Sequence, residues 1–282
     1  MFMDEIYFAQ IQKTNCWFTF AMMEDLPPIQ ANMDDVIKTF SNDKFVQRHL
    51  FAMIFGAFGY PLNLRAAETL ILSKLTELNK REPEKKTPEN EEFVIWLNLF
   101  SQYYVLLGTI YAYQHEYVKA AYCLMNGLKT GCINLFMPYC DFIKYVLSKV
   151  AEMPADLAEY DGCGFSVEEP MGGLELNNGS LDASAAEMII PALEGVNGEI
   201  ILSYQGGQKY GNLKRLGSTN SNNFRNCVDV YEVLMVDRNF KLKKLIIYFN
   251  GYFSRDNRFT IRLLKGFRID PLNKIARYYQ IM

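Results

Sequence analysis

Two histidines and six cysteines are the residues of this 282-residue chain that are best suited to acid-base or nucleophilic chemistry. His115 lies in the stretch YQHEY, directly after a long apolar run, which places it in a tight turn. A turn histidine is typical of a surface hydrogen bond or of a cap near a helix C-terminus. His49, in FVQRHLFAM, falls on an amphipathic helical pattern and is expected to pack against its neighbours. Both histidines therefore favour structural roles over catalysis.

The cysteine pattern argues against a metal site and against a disulfide framework. The six cysteines form no CxxC pair, and neither an HExxH motif nor a calcium-loop pattern occurs in the sequence. Scattered cysteines of this kind are typical of reduced thiols in a cytosolic protein. We therefore expect no bound metal and no cofactor.

The N-terminus and the hydropathy pattern predict a cytoplasmic protein without a membrane segment. The stretch MFMDEIYFAQ carries Asp4 and Glu5 where a secretory signal would carry Lys or Arg. No apolar run in the sequence approaches the roughly 18 residues that a membrane-spanning helix requires. The partners are therefore expected to be other macromolecules or peptides rather than a membrane.

The stretch SYQGGQKYGNLKRLGS is the remaining candidate for a ligand site. Its glycines could form a loop in which Lys209, Lys214 and Arg215 hold a phosphate or a carboxylate. The glycines follow neither the phosphate-loop spacing nor the dinucleotide-binding spacing, so a hairpin loop with a solvated basic rim is the favoured interpretation. A non-catalytic protein is accordingly favoured, and an enzyme that holds an anionic substrate at residues 203–217 is the third functional alternative.

Charge is strongly separated along the chain, although the net charge is only -3. Residues 1–149 carry a balance of -2, residues 150–199 a balance of -11 and residues 200–282 a balance of +10. The basic zone is also rich in aromatic residues, and this mixture could stack bases and neutralise phosphates. Two alternatives are a basic zone that binds an acidic protein and an acidic zone that folds over the basic one. The last alternative is slightly favoured.

Hydrophobic periodicity predicts an α+β fold, with an antiparallel helical-hairpin domain followed by a small antiparallel β-sheet domain. The helical domain covers residues 1–152, of which residues 1–24 could instead form a β-hairpin, and its helices are predicted near residues 33–58, 64–81, 88–114, 116–130 and 134–152. Residues 153–195 predict an acidic linker with a short helix near residues 182–194. Residues 196–282 predict a basic domain of short strands, two of which are joined by the turn DRNF.

The stretch YYVLLGTIYAYQHEYVKAAYCLMNG resembles a tetratricopeptide repeat, a helix-turn-helix unit with the pattern W-x2-L-G-x2-Y followed by A-x3-F and a closing proline. The matching residues are Tyr104, Leu107, Gly108, Tyr111, Ala120 and Leu124. Tyrosine replaces the usual tryptophan, leucine the usual phenylalanine, and Cys132 the closing proline. The resemblance covers one good unit near residues 101–134 and a degenerate unit before it. It implies that the small residues Gly108 and Ala120 let two antiparallel helices approach closely.

Tetratricopeptide arrays use their concave faces as docking surfaces, so the resemblance implies a protein- or peptide-binding module. Such a module would act as an adaptor, as a chaperone-like partner or as an inhibitor of another protein. The aromatic residues that the hairpin does not need for packing, Tyr103, Tyr113 and Tyr117, are the predicted partner-binding residues. Nucleic-acid binding through the basic C-terminal domain is the main alternative.

Overall fold

The protein has an α+β fold, with helices first and a β-sheet after them, as the sequence predicts. A computed structural model describes residues 64–84, 90–129, 137–174, 180–182, 184–203, 213–221, 227–253, 260–269 and 280–281. The hairpin predicted for residues 1–24 and the helix predicted before residue 64 lie outside these stretches. The chain divides into two compact units. The helical unit ends at Val146, and the sheet unit continues from Leu147.

Four helices precede the sheet in the part of the chain that the structure describes. They are α1 (Leu64–Lys80), α2 (Glu91–Tyr113), α3 (Tyr117–Lys129) and α4 (Met137–Ala151). Their bounds lie close to those that the hydrophobic periodicity predicts. None of the helices in the described stretches is long and apolar enough to cross a membrane.

The C-terminal half of helix α2 is buried on all sides because its sequence is apolar almost throughout. Every residue from Val105 to Ala112 is buried. The indole nitrogen of Trp96 donates a hydrogen bond to the carbonyl oxygen of Leu78 at 2.8 Å, which joins α2 to α1. The ring of Trp96 also stacks on that of Phe100, with centroids 5.0 Å apart. The hydrogen bond of Trp96 thus anchors α2 to α1.

Gly108 allows α2 and α3 to pack in close contact. A Cβ atom at this position would lie 2.7 Å from Leu124 Cγ and 3.0 Å from the carbonyl oxygen of Ala120. Ala120 and Leu124 are fully buried, so neither has free space to move into. The close approach expected of these two helices is therefore present. The tetratricopeptide resemblance itself stays a prediction, because close helix packing occurs in many helical folds.

The sheet unit contains twelve strands and one short helix, α5 (Ala185–Ile189), among its described residues. A 3-10 turn follows this helix at Ile190–Ala192. The strands are β1 (Asp156–Leu157), β2 (Met171–Gly173), β3 (Ser180–Leu181), β4 (Leu193–Gly195), β5 (Ile200–Ile201), β6 (Lys214–Asn220), β7 (Cys227–Val236), β8 (Leu242–Asn250), β9 (Tyr252–Phe253), β10 (Thr260–Arg262), β11 (Phe267–Ile269) and β12 (Gln280–Ile281).

Strands β7 and β8 form the long antiparallel hairpin at the centre of the sheet. Their pairing runs from Asp229 opposite Phe249 to Val236 opposite Leu242. The turn DRNF closes the hairpin, as predicted, and the Phe240 amide donates to the Asp237 carbonyl at 2.9 Å. Alternate residues of β8, namely Leu245, Ile247 and Phe249, are buried and form the core-facing side of the strand.

The complete sheet is mixed, whereas the sequence predicts an antiparallel one. Its order is β11-β4-β5-β7-β8-β2-β10-β12, with β1 beside β8 and β6 beside β7. Strands β1 and β2 run parallel to β8, and β12 runs parallel to β10. Parallel pairing needs long connections, and β1 and β2, with two and three residues, are too short to show a periodic pattern in sequence. A separate antiparallel pair joins β3 to β9.

The prediction of an acidic linker over residues 153–195 was wrong. This segment supplies β1 to β4 and α5 to the sheet unit. Met171 of β2 is fully buried, and its neighbours in the core include Ile189 of α5 and Phe249 of β8. The short helix lies inside the range predicted for it. The error arose because strands of two or three residues leave no hydrophobic alternation to detect.

Candidate functional site

Helix α2 ends in a Schellman motif, the hydrogen-bond pattern that closes a helix through a left-handed residue. The amide of Glu116 donates to the carbonyl of Tyr111 at 2.9 Å, and the amide of His115 donates to the carbonyl of Ala112 at 3.1 Å. The left-handed residue is His115, with a φ of 62°. Glycine is the usual residue here, because a side chain costs roughly 1–2 kcal/mol in this conformation. The imidazole of His115 is thus placed at a cost in folding free energy.

His115, Tyr117 and Tyr145 form a row of polar aromatic side chains from the turn, α3 and α4. His115 Nδ1 lies 3.0 Å from the Tyr117 hydroxyl, which lies 3.5 Å from the Tyr145 hydroxyl. Neighbouring rings meet edge to face, with centroids 5.9 Å and 6.3 Å apart. The histidine is exposed and both tyrosines are half-buried. The row therefore presents ring edges and hydrogen-bonding atoms together.

The Tyr117 hydroxyl keeps its proton at neutral pH. Burial, followed by the hydrogen bond to Tyr145, raises the pKa of Tyr117 to about 12. A protonated phenol can donate one hydrogen bond and still accept another. Tyr117 therefore acts as a neutral hydrogen-bonding group at the centre of the row.

A polar contact next to this row joins α1 to the turn. Gln114 Nε2 donates to Glu68 Oε2 at 3.4 Å, and a flipped amide would place two oxygen atoms against each other instead. Gln114 Oε1 is buried and has no hydrogen-bond partner within the described stretches. Burial, followed by the charge of Glu68, raises the pKa of Tyr111. We refer to Glu68, Gln114, His115, Tyr117 and Tyr145 together as the turn surface.

The charged side chains beside the turn surface are paired with each other. Lys119 forms an ion pair with Glu116, three residues before it on the chain. Its ammonium group also lies 5.2 Å from the ring centroid of Tyr111, within the range of a cation–π contact. The α2–α3 turn consequently offers polar and aromatic contacts without a large local excess of charge.

The described residues provide neither an activated thiol at this site nor a metal cluster. Cys123 of α3 is 1% exposed, and burial raises the pKa of its thiol, which keeps it in the unreactive protonated form. No group of three or more His, Cys, Asp or Glu side chains in the described ranges could hold a metal ion.

The three tyrosines that the sequence predicts as partner-binding residues differ in where the structure places them. Tyr117 belongs to the turn surface and is half-buried. Tyr103 is only 7% exposed, so the prediction that it is available to a partner was wrong. The physical reason is that Tyr103 packs within the helical unit, where burial and, after it, the charge of Glu77 on α1 raise the pKa of its hydroxyl. The side chain of Tyr113 lies outside the described residues.

The predicted anion-binding residues do not form an open basic loop in the described structure. Lys214 and Arg215 are the first residues of strand β6, and Lys209 lies outside the described stretches. Lys214 Nζ is 3.4 Å from Glu232 Oε1. Arg215 is 2.7 Å from Asp229 Oδ1 on the neighbouring strand. Acidic residues on β7 therefore engage both cations, and the possible anion site that includes Lys209 stays a prediction.

Several other cations of the basic zone also lie against carboxylates. Two of these carboxylates come from the acidic zone. Asp161 Oδ1 lies 3.1 Å from Lys265 Nζ, and Glu194 Oε1 lies 2.7 Å from Arg268 Nε. Lys244, on β8, lies 3.5 Å from Glu232. The acidic zone thus folds against part of the basic zone. These pairs reduce the positive charge that the sheet can offer to a phosphate backbone.

Sequence reasoning missed Glu68, Gln114 and Tyr145. Glu68 and Tyr145 lie on α1 and α4, and nothing in their local sequence marks them as neighbours of the α2–α3 turn. Gln114 directly precedes His115, and it is the C-cap residue of α2. The turn itself does carry one weak signal. The stretch YQHEY closes a helix but contains no glycine, so a residue with a side chain takes the left-handed conformation that glycine usually adopts.

No protein-family model, curated protein or solved structure matches this chain.

Proposed function

We propose that the helical unit is a protein- or peptide-binding module, and that a segment of the partner docks on the turn surface. The observation that carries this proposal is the left-handed backbone at His115. A residue other than glycine in this conformation stores strain, and such strain concentrates at functional sites where a side chain is needed. Glycine would close α2 at a lower cost, and this supports a role for the exposed imidazole in contacting a partner.

The row of rings suits a peptide better than a small reactive substrate. Tyrosine and histidine side chains present an apolar body with a polar tip, which lets them bury a partner's side chain and hydrogen-bond its backbone. Tyrosine is enriched at protein interfaces for this reason. The edge-to-face contacts of Tyr117 with both neighbours hold the row rigid, which limits the conformational entropy lost on binding.

Selection of peptides on the intact protein tests this proposal. A random-peptide phage library is panned on the full chain, and the enriched peptides are synthesised with a fluorescent label. Their affinities are measured by fluorescence anisotropy for the wild-type protein and for the His115→Gly and Tyr160→Phe variants. His115→Gly removes the imidazole while preserving the turn, and Tyr160→Phe removes an exposed tyrosine hydroxyl from the sheet unit as a matched control.

We expect His115→Gly to weaken binding of the enriched peptides by about tenfold or more, which is the effect of one good interfacial contact of about 1.4 kcal/mol. Tyr160→Phe should leave the affinity unchanged. Equal affinity for the wild type and His115→Gly, or a library that yields no enriched peptide, would contradict the proposal.

A further inference from the structure

Strand β6 lies at an edge of the sheet and is longer than the strands at the two ends of the sheet order. It has seven residues, whereas β11 has three and β12 has two. Among the described strands, β6 pairs with β7 alone. Its hydrogen bonds within the described part of the chain stay inside β6 or run to β7. The outer edge of β6 thus presents a row of backbone donors and acceptors to which another strand can bind.

The features that usually protect an edge strand are weak in β6. Proteins block edges with proline or with free charges that repel an approaching strand. β6 contains no proline. Its two cations are paired with carboxylates, because Lys214 Nζ lies 3.4 Å from Glu232 Oε1 and Arg215 Nη2 lies 2.7 Å from Asp229 Oδ1. The bulge lies near the start of β6, and the last four residues of the strand pair regularly with β7. An approaching strand therefore meets little net charge.

The side chains of β6 leave room for a second strand. All seven residues are exposed or half-exposed, and Leu216 is 48% exposed. Gly217, at the middle of the strand, has a φ of 149°, and a Cβ atom there would meet no atom within 4 Å. A glycine inside a strand is typical of a place where another backbone approaches closely. The edge is therefore accessible along its length.

We propose that β6 pairs in antiparallel orientation with β6 of a second copy of this chain, so that two sheets join across a two-fold axis. In such a symmetric pair, one residue lies opposite its own counterpart. The register that pairs all seven residues of β6 places Gly217 in this central position. The inference goes beyond the proposed function, because it concerns the sheet unit and does not depend on peptide binding at the turn surface.

Charge complementarity of β6 with itself favours a second copy as the occupant. In the proposed register, Lys214 lies opposite Asn220 of the second copy, and Arg215 lies opposite Thr219. Each cation thus faces a neutral hydrogen-bonding side chain, whereas parallel pairing in register would place each cation opposite its own counterpart. Leu216 lies diagonally across from Leu216 of the second copy, which removes exposed apolar surface from water.

Sedimentation velocity of the intact protein tests the proposal over a wide range of protein concentrations. A single pair of strands forms a small interface, so we expect a weak dimer whose share rises with concentration. The dissociation constant of this dimer is then compared between the wild-type protein and variants at Asn220. Circular dichroism establishes that each variant keeps the wild-type fold.

Substitutions of Asn220, which is exposed, test the register. Asn220→Glu places a carboxylate opposite Lys214 of the second copy, and Asn220→Lys places an ammonium group there. Two-fold symmetry doubles each effect, so at low ionic strength we expect Asn220→Glu to lower the dissociation constant about fivefold and Asn220→Lys to raise it about fivefold. The control variants Asn79→Glu and Asn79→Lys, at an exposed position of α1, should leave it unchanged.

The pairing predicts opposite shifts for the two Asn220 variants and no shift for the two Asn79 variants. A protein that stays monomeric at every concentration would overturn the proposal. A dimer whose dissociation constant the two Asn220 variants do not shift in opposite directions would also overturn it, because another surface would then join the copies.

Discussion

His115 Nδ1 lies 3.0 Å from the hydroxyl of Tyr117 across a turn whose backbone is left-handed at the histidine. The two residues are separated only by Glu116, yet they belong to different parts of the hairpin. His115 closes α2, and Tyr117 is the first residue of α3. The hydrogen bond thus links the closing residue of one helix to the first turn of the next.

Replacing His115 with glycine should stabilise the protein. Glycine adopts the left-handed conformation without the steric cost of a side chain, so we expect His115→Gly to raise the free energy of unfolding of the helical unit by about 1 kcal/mol. His115→Ala removes the same imidazole but keeps a Cβ atom in that conformation. Urea unfolding monitored by circular dichroism compares the two variants. Equal stabilities of the glycine and alanine variants would show that the turn is not strained.

Replacing Gly108 with alanine should destabilise the helical unit. The new Cβ atom would lie 2.7 Å from Leu124 Cγ, and overpacking of this kind typically costs about 1–3 kcal/mol. The higher helix propensity of alanine returns about 1 kcal/mol, so the expected net effect is a loss of stability. Asn79→Ala, at an exposed position on α1, is the control and should be neutral or slightly stabilising. A stabilising Gly108→Ala substitution would contradict the close approach of α2 and α3.

Stability should fall in the alkaline range because of Tyr117. The folded protein holds the Tyr117 proton up to a pKa of about 12, whereas the unfolded chain releases it near the ordinary tyrosine pKa of about 10. Between these two values the unfolded state binds fewer protons, so the free energy of unfolding decreases as pH rises; below both values the contribution of Tyr117 is complete. Denaturant unfolding at several pH values should show a shallower decline for Tyr117→Phe. Identical slopes for the two proteins would refute the raised pKa.

The basic zone should bind nucleic acid weakly because its cations face carboxylates. We expect little retention of the full chain on single-stranded DNA near physiological salt. The double variant Asp229→Asn, Glu232→Gln releases the paired cations of β6 and β8 and should increase retention, with a steep decline as salt rises. Strong and salt-sensitive retention of the wild-type protein would favour the nucleic-acid alternative over peptide binding.

Local sequence was sufficient to predict helices whose hydrophobic pattern spans several helical turns, and to predict a hairpin closed by a tight loop. The spacing of Gly108 and Ala120 indicated the contact between α2 and α3, and the turn at Asp237–Phe240 indicated the β7–β8 hairpin. Both features depend on residues that are close in sequence and that have strong conformational preferences. Helix bounds followed from the same kind of information.

Other features depend on contacts between distant residues, and the sequence did not reveal them. Met171 pairs with Phe249 in a parallel register, although neither residue marks the other in sequence. Tyr103 was expected at the surface because the repeat pattern does not use it, but α1 and the rest of the helical unit bury it. Tyr145 reaches the α2–α3 turn from α4, so the turn surface became visible only in three dimensions.

Mapping a selected peptide onto the protein by NMR tests the central claim most directly. The intact chain, labelled with nitrogen-15, is titrated with a peptide enriched by the phage selection, and the backbone amide shifts are followed to saturation. If the turn surface is the docking site, the largest shifts fall at residues 114–117 and at Tyr145, and they disappear in a Tyr117→Phe, Tyr145→Phe variant that keeps the wild-type fold. Saturable shifts confined to the sheet unit, or shifts that the double variant leaves unchanged, would contradict it.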